Sequence, residues 1–213
     1  PALGFSRFDV PNRVIGNLSY QSDNTTISLF YEGSDAGRFS YTYAGNFGDA
    51  SDRLMYIPNS ASELNFEEFE LGGRTITAAE QATLFDAYIE QDDYLRENRG
   101  SVAERNGAVR PWLNRFDFRI LQDLVFTKDQ KNRLQLSIDI LNIGNLFNSE
   151  WGVPQFANQE NPLSYRGRNQ LNEPVYRLTT IPGTSDFPTE TFRTSTSFSD
   201  TWRMQVGVRY IFN

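Results

Sequence analysis

Apolar and polar residues alternate with period two along several stretches of the chain. The pattern is cleanest at the end, where Trp202, Met204, Val206, Val208, Tyr210 and Phe212 interleave with Arg203, Gln205, Gly207, Arg209 and Ile211. Alternation of this length predicts a strand over 202–212 with one apolar and one polar face. Residues 131–143 repeat it, with Leu134, Leu136, Ile138 and Ile140 against Arg133, Gln135, Ser137 and Asp139. Residues 112–126 set Phe116, Phe118 and Ile120 against Arg115, Asp117, Arg119 and Asp123, although Gln122 falls on the apolar side and Leu121 on the polar one. Residues 13–21 carry Val14, Leu18 and Tyr20 against Asn17, Ser19 and Gln21, with Ile15 out of phase. Residues 25–45 read as one long strand kinked at Gly33–Gly37, whose apolar set runs Ile27, Leu29, Tyr31, Phe39, Tyr41 and Tyr43. Parity is kept through the kink, as in a strand that continues beyond a bulge.

The connections between these strands alternate in length. Ser22-Asp23-Asn24 and Thr127-Lys-Asp-Gln-Lys131 are short polar turns, whereas 46–111 and 144–201 are long. The first long loop is expected to hold a helix near 77–96, opened by the capping box Thr77-Ala-Ala-Glu80. The amphipathic run Thr83–Ile89 in it, with Leu84, Phe85, Tyr88 and Ile89 on one side, is expected to pack within the loop. The second holds five Pro and short strands near 151–156 and 174–180. Outer-membrane barrels sort their connections in this way, with short periplasmic turns and long extracellular loops. If the last strand ends in the periplasm, both long loops lie outside. At ~3.3 Å per residue, a strand of this length crosses a bilayer at a tilt. Its aromatics sit at both ends of the apolar face, where an interfacial girdle forms.

Mean hydropathy is −0.53, and no run approaches the ~18 apolar residues of a membrane helix. Hydropathy alone therefore reads as soluble, but a barrel shows lipid only alternate residues and escapes that measure. The 213 residues include no Cys and no His. Disulfides, thiol nucleophiles, Cys zinc sites and Ser-His-Asp triads are thereby excluded. No enzyme activity, catalytic residue or cofactor is expected. A net charge of −7 lacks the basic footprint that nucleic acid requires. Asp49, Asp52, Asp92 and Asp93 offer oxygens of the kind Ca²⁺ takes, but none follows a D-x-[DN]-x-[DN]-G loop, so no metal is expected. Paired carboxylates such as Glu67 and Glu68, or Asp92 and Asp93, are read as solvated. Phe39, Tyr41, Tyr43, Trp112 and Trp151 can stack on sugar rings; girdle and loop packing are the expected roles. Arg115, Asp117, Arg119, Asp123 and Asp139 are expected to face the lumen as a ladder of paired charges.

Two further stretches carry a resemblance. Asn98-Arg-Gly-Ser-Val-Ala-Glu-Arg-Asn-Gly-Ala-Val-Arg-Pro-Trp-Leu-Asn-Arg-Phe-Asp-Phe-Arg-Ile-Leu-Gln-Asp123 and Ser137-Ile-Asp-Ile-Leu-Asn-Ile-Gly-Asn-Leu-Phe-Asn-Ser-Glu-Trp-Gly152 resemble the C-terminal barrel of Oar-like TonB-dependent outer-membrane receptors. Phe8-Asp-Val-Pro-Asn-Arg-Val14 and Leu54-Met-Tyr-Ile-Pro58 fit the same group. The final Gln205–Phe212 looks like the aromatic-ended insertion signal of such barrels, which would comprise Trp202, Met204, Val206, Val208, Tyr210 and Phe212.

The resemblance implies an all-β fold: the C-terminal five or so antiparallel strands of a barrel of about 22 strands. It implies import of a nutrient (oligosaccharide, peptide or chelate) through the outer membrane of a Gram-negative bacterium. The implied partners are the rest of the barrel and its plug, the TonB system through that plug, the barrel assembly machinery and a surface lipoprotein. Five strands do not close a barrel, which takes at least ~8. The chain is thus expected to be a C-terminal part of a larger protein, a proteolytic product or one piece of a split barrel. The competing expectation is a surface adhesion or binding module, either barrel-anchored or a soluble β-sandwich.

Overall fold

A computed structural model describes residues 3–45, 53–126 and 132–212. The turn expected at 127–131 lies outside them, as do Asp49 and Asp52. The chain is predominantly β and divides into two compact units. A sheet unit comprises Val10–Ala36, Pro111–Gln155 and Thr194–Asn213; a loop unit comprises Pro1–Asp9, Gly37–Arg110 and Phe156–Arg193.

The sheet unit is a five-stranded antiparallel meander of β1 (Arg13–Ser22), β2 (Thr25–Asp35), β3 (Trp112–Val125), β4 (Asn132–Leu141) and β5 (Arg203–Phe212), in that spatial order. Asp23, at φ +37°, turns the β1–β2 hairpin, and Ser22 faces Thr25 across it. The sheet is open, with β1 and β5 as its edges; no closed barrel forms among the described residues. Register aligns the alternating residues into rows. Tyr20, Ile27, Ile120, Ile138 and Val206 face one another across the strands, and Leu18, Leu29, Phe118, Ile140 and Met204 form the next row. A slip of one residue at any pairing would send that strand's apolar set to the other face. Gln122, the misfit in the alternation, sits on the apolar face beside the β1–β2 turn. There it accepts from Thr25 Oγ1 at 2.7 Å and donates to Asn24 O at 3.2 Å.

The expected long strand 25–45 is corrected. It ends at Asp35, whose carboxylate accepts from Asn12 N and Nδ2 at 3.0 and 2.8 Å. Gly37 then takes φ +96°, a left-handed conformation open mainly to glycine. Beyond it, Phe39, Tyr41 and Tyr43 leave the sheet's apolar face altogether. They enter the core of the loop unit, where all are buried.

That core also takes Met55, Ile57, Phe85, Tyr88, Ile89, Leu95, Leu163 and Leu178. The two long connections are therefore not separate loops. Strand 163–168 pairs in parallel with 43–44, strand 174–178 in parallel with 65–66, and the two longer strands pair antiparallel. In the expected helix region, α1 spans Ala78–Gln91 and α2 spans Asp93–Glu97. Thr77 Oγ1 caps α1 by accepting from Glu80 N at 3.2 Å. The Glu80 carboxylate turns to Arg74 at 2.9 Å, so the return half of the capping box is not made.

Two buried polar side chains tie the segments together. Gln81 donates from Nε2 to Glu67 O at 2.8 Å and accepts from Leu178 N at 3.0 Å. Asp92 ends α1 and caps α2, which splits the single helix expected near 77–96. Its carboxylate accepts from Leu95 N (2.7 Å), Tyr41 Oη (2.8 Å) and Thr191 Oγ1 (2.6 Å). Asp92 is thus not the solvated loop carboxylate expected of it: it is buried and fully occupied. Asp93 is exposed and pairs with Arg96. Burial pushes the Tyr88 hydroxyl up to about 12. Burial, with the Tyr88 and Asp92 charges adding to it, also raises Tyr41.

Candidate functional site

The features that bear most directly on function are the two faces of the sheet. The even-numbered residues of β1, β3, β4 and β5 and the odd-numbered residues of β2 share one face, which is apolar along nearly its full length. Among the described residues, the sheet unit screens it only at the end of Trp112 and Phe116, where Trp151 stands beside them. Leu18 is 72% exposed, Val206 63% and Val208 67%. Among the described residues, every buried hydrophobic side chain except Val153 belongs to the loop unit. Water-facing surfaces do not usually carry a continuous apolar patch on this scale. The rings of Tyr31 and Phe116 meet at a 37° tilt, with centroids 4.8 Å apart, near the end of the face where β2 runs out. The Tyr31 ring also lies over Gly33, so a Cβ there would fall 2.2 Å from its hydroxyl oxygen.

The opposite face carries the charges. Arg13 pairs with Glu32 (2.7 Å), Arg119 with Asp139 (2.9 Å), Arg115 with Asp117 (3.5 Å) and Arg133 with Asp123 (3.6 Å). Gln135 Nε2 also donates to Asp123 at 2.9 Å. All five residues expected to face a lumen lie on this one face, and each has a partner there. Ion pairs this exposed contribute little stability, of the order of 0–1 kcal/mol each. What they provide is a surface that stays polar and hydrated.

The residues expected to form the insertion signal, from Met204 to Phe212, project from the apolar face of edge strand β5. Tyr210 and Phe212 stack on each other at 5.9 Å. Trp202 precedes the strand, which starts at Arg203. Its backbone N–H donates to Asn145 Oδ1 at 3.1 Å.

That bond belongs to an asparagine corner whose role the sequence pattern did not disclose. Asn142, in the left-handed region at φ +53°, opens the short helix α3 (Ile143–Phe147). Its backbone N–H donates to Asp117 Oδ1 at 2.7 Å, and its Nδ2 serves Gly152 O (3.0 Å) and Asp200 O (2.9 Å). Asn145 Nδ2 serves Ser149 O at 2.8 Å. These amides satisfy carbonyls that have left the strand ladder. The available signal was the spacing of Asn142, Asn145 and Asn148 at one helical turn apiece. Beside the corner opens a cleft of about 350 Å³ lined by Trp112, Asn114, Phe116, Trp151 and Gly152. Trp112 Nε1 and Tyr31 Oη both donate to Asn114 Oδ1, at 3.0 and 2.8 Å. Of the five aromatics proposed for stacking, Trp112 and Trp151 stand here with exposed faces, whereas Phe39, Tyr41 and Tyr43 are enclosed in the loop core.

No group of three or more metal-ligating side chains forms among the described residues. No helix there is long and apolar enough to cross a membrane, which says nothing of crossing by strands. Compared with family models, curated proteins and solved structures, the chain matches none.

Proposed function

We propose that the chain forms part of the wall and substrate-entrance loops of a TonB-dependent outer-membrane transporter that imports a nutrient: an oligosaccharide, a peptide or a chelate. One observation carries this reading: an apolar face continuous in register over five strands, left uncovered, backed by a face of paired charges. Lipid on one side and a hydrated lumen on the other account for both faces at once. Strands of 10 to 14 residues have the span of a tilted transmembrane strand, about 9–11 residues in the bilayer core. The open edges β1 and β5 need partners, because an unpaired backbone edge in hydrocarbon costs several kcal/mol per group. In this reading the rest of a barrel of about 22 strands supplies those partners. Its plug engages TonB, the assembly machinery inserts the barrel, and a surface lipoprotein lids it. The loop unit is extracellular. The chain performs no chemistry of its own.

The test is direct because the chain has no Cys. Single cysteines at 203–210, labelled with a polarity-sensitive dye in detergent-solubilised full chain, should report apolar and aqueous surroundings in alternation. A chain that is monomeric and folded in plain buffer, with the dye equally wet at every position, would overturn the reading.

A further inference from the structure

The loop unit contains a cleft of about 470 Å³ whose lining includes Arg7, Arg38, Arg105, Arg110, Thr42 and Glu160. Two of its arginines are fixed and neutralised. Arg38 Nε donates to Asp9 at 2.6 Å, with its guanidinium 3.9 Å from the centre of the Phe5 ring. Arg110 donates to Glu160 at 3.2 Å and lies near the rings of Phe39 and Phe156. Its Nε is buried without a hydrogen-bond partner. Arg7 and Arg105 are different: among the described residues neither has an ion pair or hydrogen bond. Asp9 and Glu160 are committed to the first two.

The frame that holds these groups is rigid. Asn106, at φ +54°, donates from Nδ2 to Phe5 O at 2.7 Å and from its backbone N–H to Ser40 Oγ at 2.8 Å. Ser40 Oγ donates back to Asn106 Oδ1 at 3.2 Å. One side chain thus ties the N-terminal segment, the strand at 38–39 and the turn carrying Arg105. Thr42 Oγ1 accepts from Asn161 Nδ2, which leaves the hydroxyl hydrogen free to donate. Four guanidinium groups, of which only two are paired (with Asp9 and Glu160), leave positive charge at this cleft in a chain whose net charge is −7. A cleft lined by one sign of charge focuses the field and raises the local concentration of counter-ions. Guanidinium forks match the planar geometry of carboxylate and phosphate oxygens.

We infer that this cleft binds a small polyanion through Arg7 and Arg105, with carboxylate or phosphate groups as the recognised chemistry. The inference stands on the loop unit alone and does not depend on the transporter reading. Titration calorimetry on the full chain, in whichever milieu keeps it monodisperse, would use pyrophosphate and citrate as probes and maltose as the neutral control. Saturable binding of one or both anions is expected, and which of them binds separates phosphate from carboxylate recognition. R7Q and R105Q should each weaken it about tenfold, the loss of one charge-assisted contact, and added salt should weaken it further. R203Q removes an equally exposed arginine from the sheet unit and should change nothing. Near-UV circular dichroism confirms that the variants remain folded. No saturable binding of either anion, equal binding of maltose, indifference to R7Q and R105Q, or an equal loss with R203Q would each overturn the proposal.

Discussion

Asp92 is the position at which a single atom-level change should separate the segments of the loop unit. Its carboxylate joins Tyr41 from before the first long connection, Leu95 from within it, and Thr191 from the second. Replacement by Ala removes all three bonds and strands buried donors on Tyr41 and Thr191. A bond to a charged group contributes about 1.5–3 kcal/mol, and breaking a buried polar network from one side costs about 3–5 kcal/mol in total. That is a large share of the ~5–15 kcal/mol typical of a whole domain. Asp92→Asn keeps the shape and one acceptor oxygen and should cost about 1–2 kcal/mol; Thr191→Val, which deletes one donor, should cost a similar amount. The assay must look at the right unit. Trp112, Trp151 and Trp202 all belong to the sheet unit, so tryptophan fluorescence is blind to this change. Hydrogen exchange read by mass spectrometry on peptides from 78–97 and 156–193 is not. Both peptides should lose protection together in Asp92→Ala. Loss confined to 78–97, or a cost below about 1 kcal/mol, would refute the idea that this carboxylate couples the two connections.

The remaining expectations concern the sheet, the corner and pH. If the sheet spans a membrane as proposed, Val206→Lys should disfavour insertion by about 2–4 kcal/mol, the range for a cation at mid-bilayer on a lipid-facing strand position. Gln205→Lys, one residue away on the polar face, should insert normally; equal surface levels of the two variants would contradict the facing. Gly152 adopts φ +67°, and a Cβ there would lie 1.9 Å from Asn142 Oδ1. Gly152→Ala should therefore cost about 1–3 kcal/mol in chemical unfolding followed by tryptophan fluorescence. Gly144→Ala, whose Cβ would meet only Trp151 at ordinary contact distance, should be neutral or stabilising. For pH, the sign follows from the raised tyrosine. Tyr88 titrates at about 12 in the fold against 10.0 when exposed, so the native state holds its proton more tightly. Its contribution is fully present below pH 10.0 and is lost as pH rises towards 12. Loop-unit exchange protection should fall over that window, with buried tyrosinate appearing after the exposed groups. Simultaneous ionisation of all tyrosines with the unit still protected would count against the burial argument.

The contrast between the two units explains which features could be read from the residues. A strand at an interface declares itself locally, since each neighbour alternates and the signal needs no knowledge of what lies across the sheet. The limits of β1, β3, β4 and β5 accordingly lie within a residue or two of the expected strands. Ile15, Leu121 and Gln122 disturb the rhythm without breaking register. A sheet face tolerates isolated exceptions where a partner such as Thr25 stands opposite.

At Phe39, Tyr41 and Tyr43 the period misleads, because alternation does not report what the alternating face meets. Those residues kept the parity of β2, yet Gly37 redirected the chain so that their apolar side faces α1 and not the surroundings of the sheet. Nothing local marks that change of destination except the glycine, and glycine also marks a bulge. The loop unit as a whole was hidden for a related reason. Its defining contacts, Gln81 with Leu178 and Asp92 with Thr191, span 97 and 99 residues. Each end looks like an ordinary polar loop residue until the other is brought to it. The first connection supplies most of the core residues and the second closes over them with Leu163 and Leu178, and a polar side chain satisfied at both ends costs little to bury. Polar composition in a long connection is therefore weak evidence of disorder when a second connection returns to the same end of the sheet. The aromatic residues that such segments retain are the better guide to whether they fold.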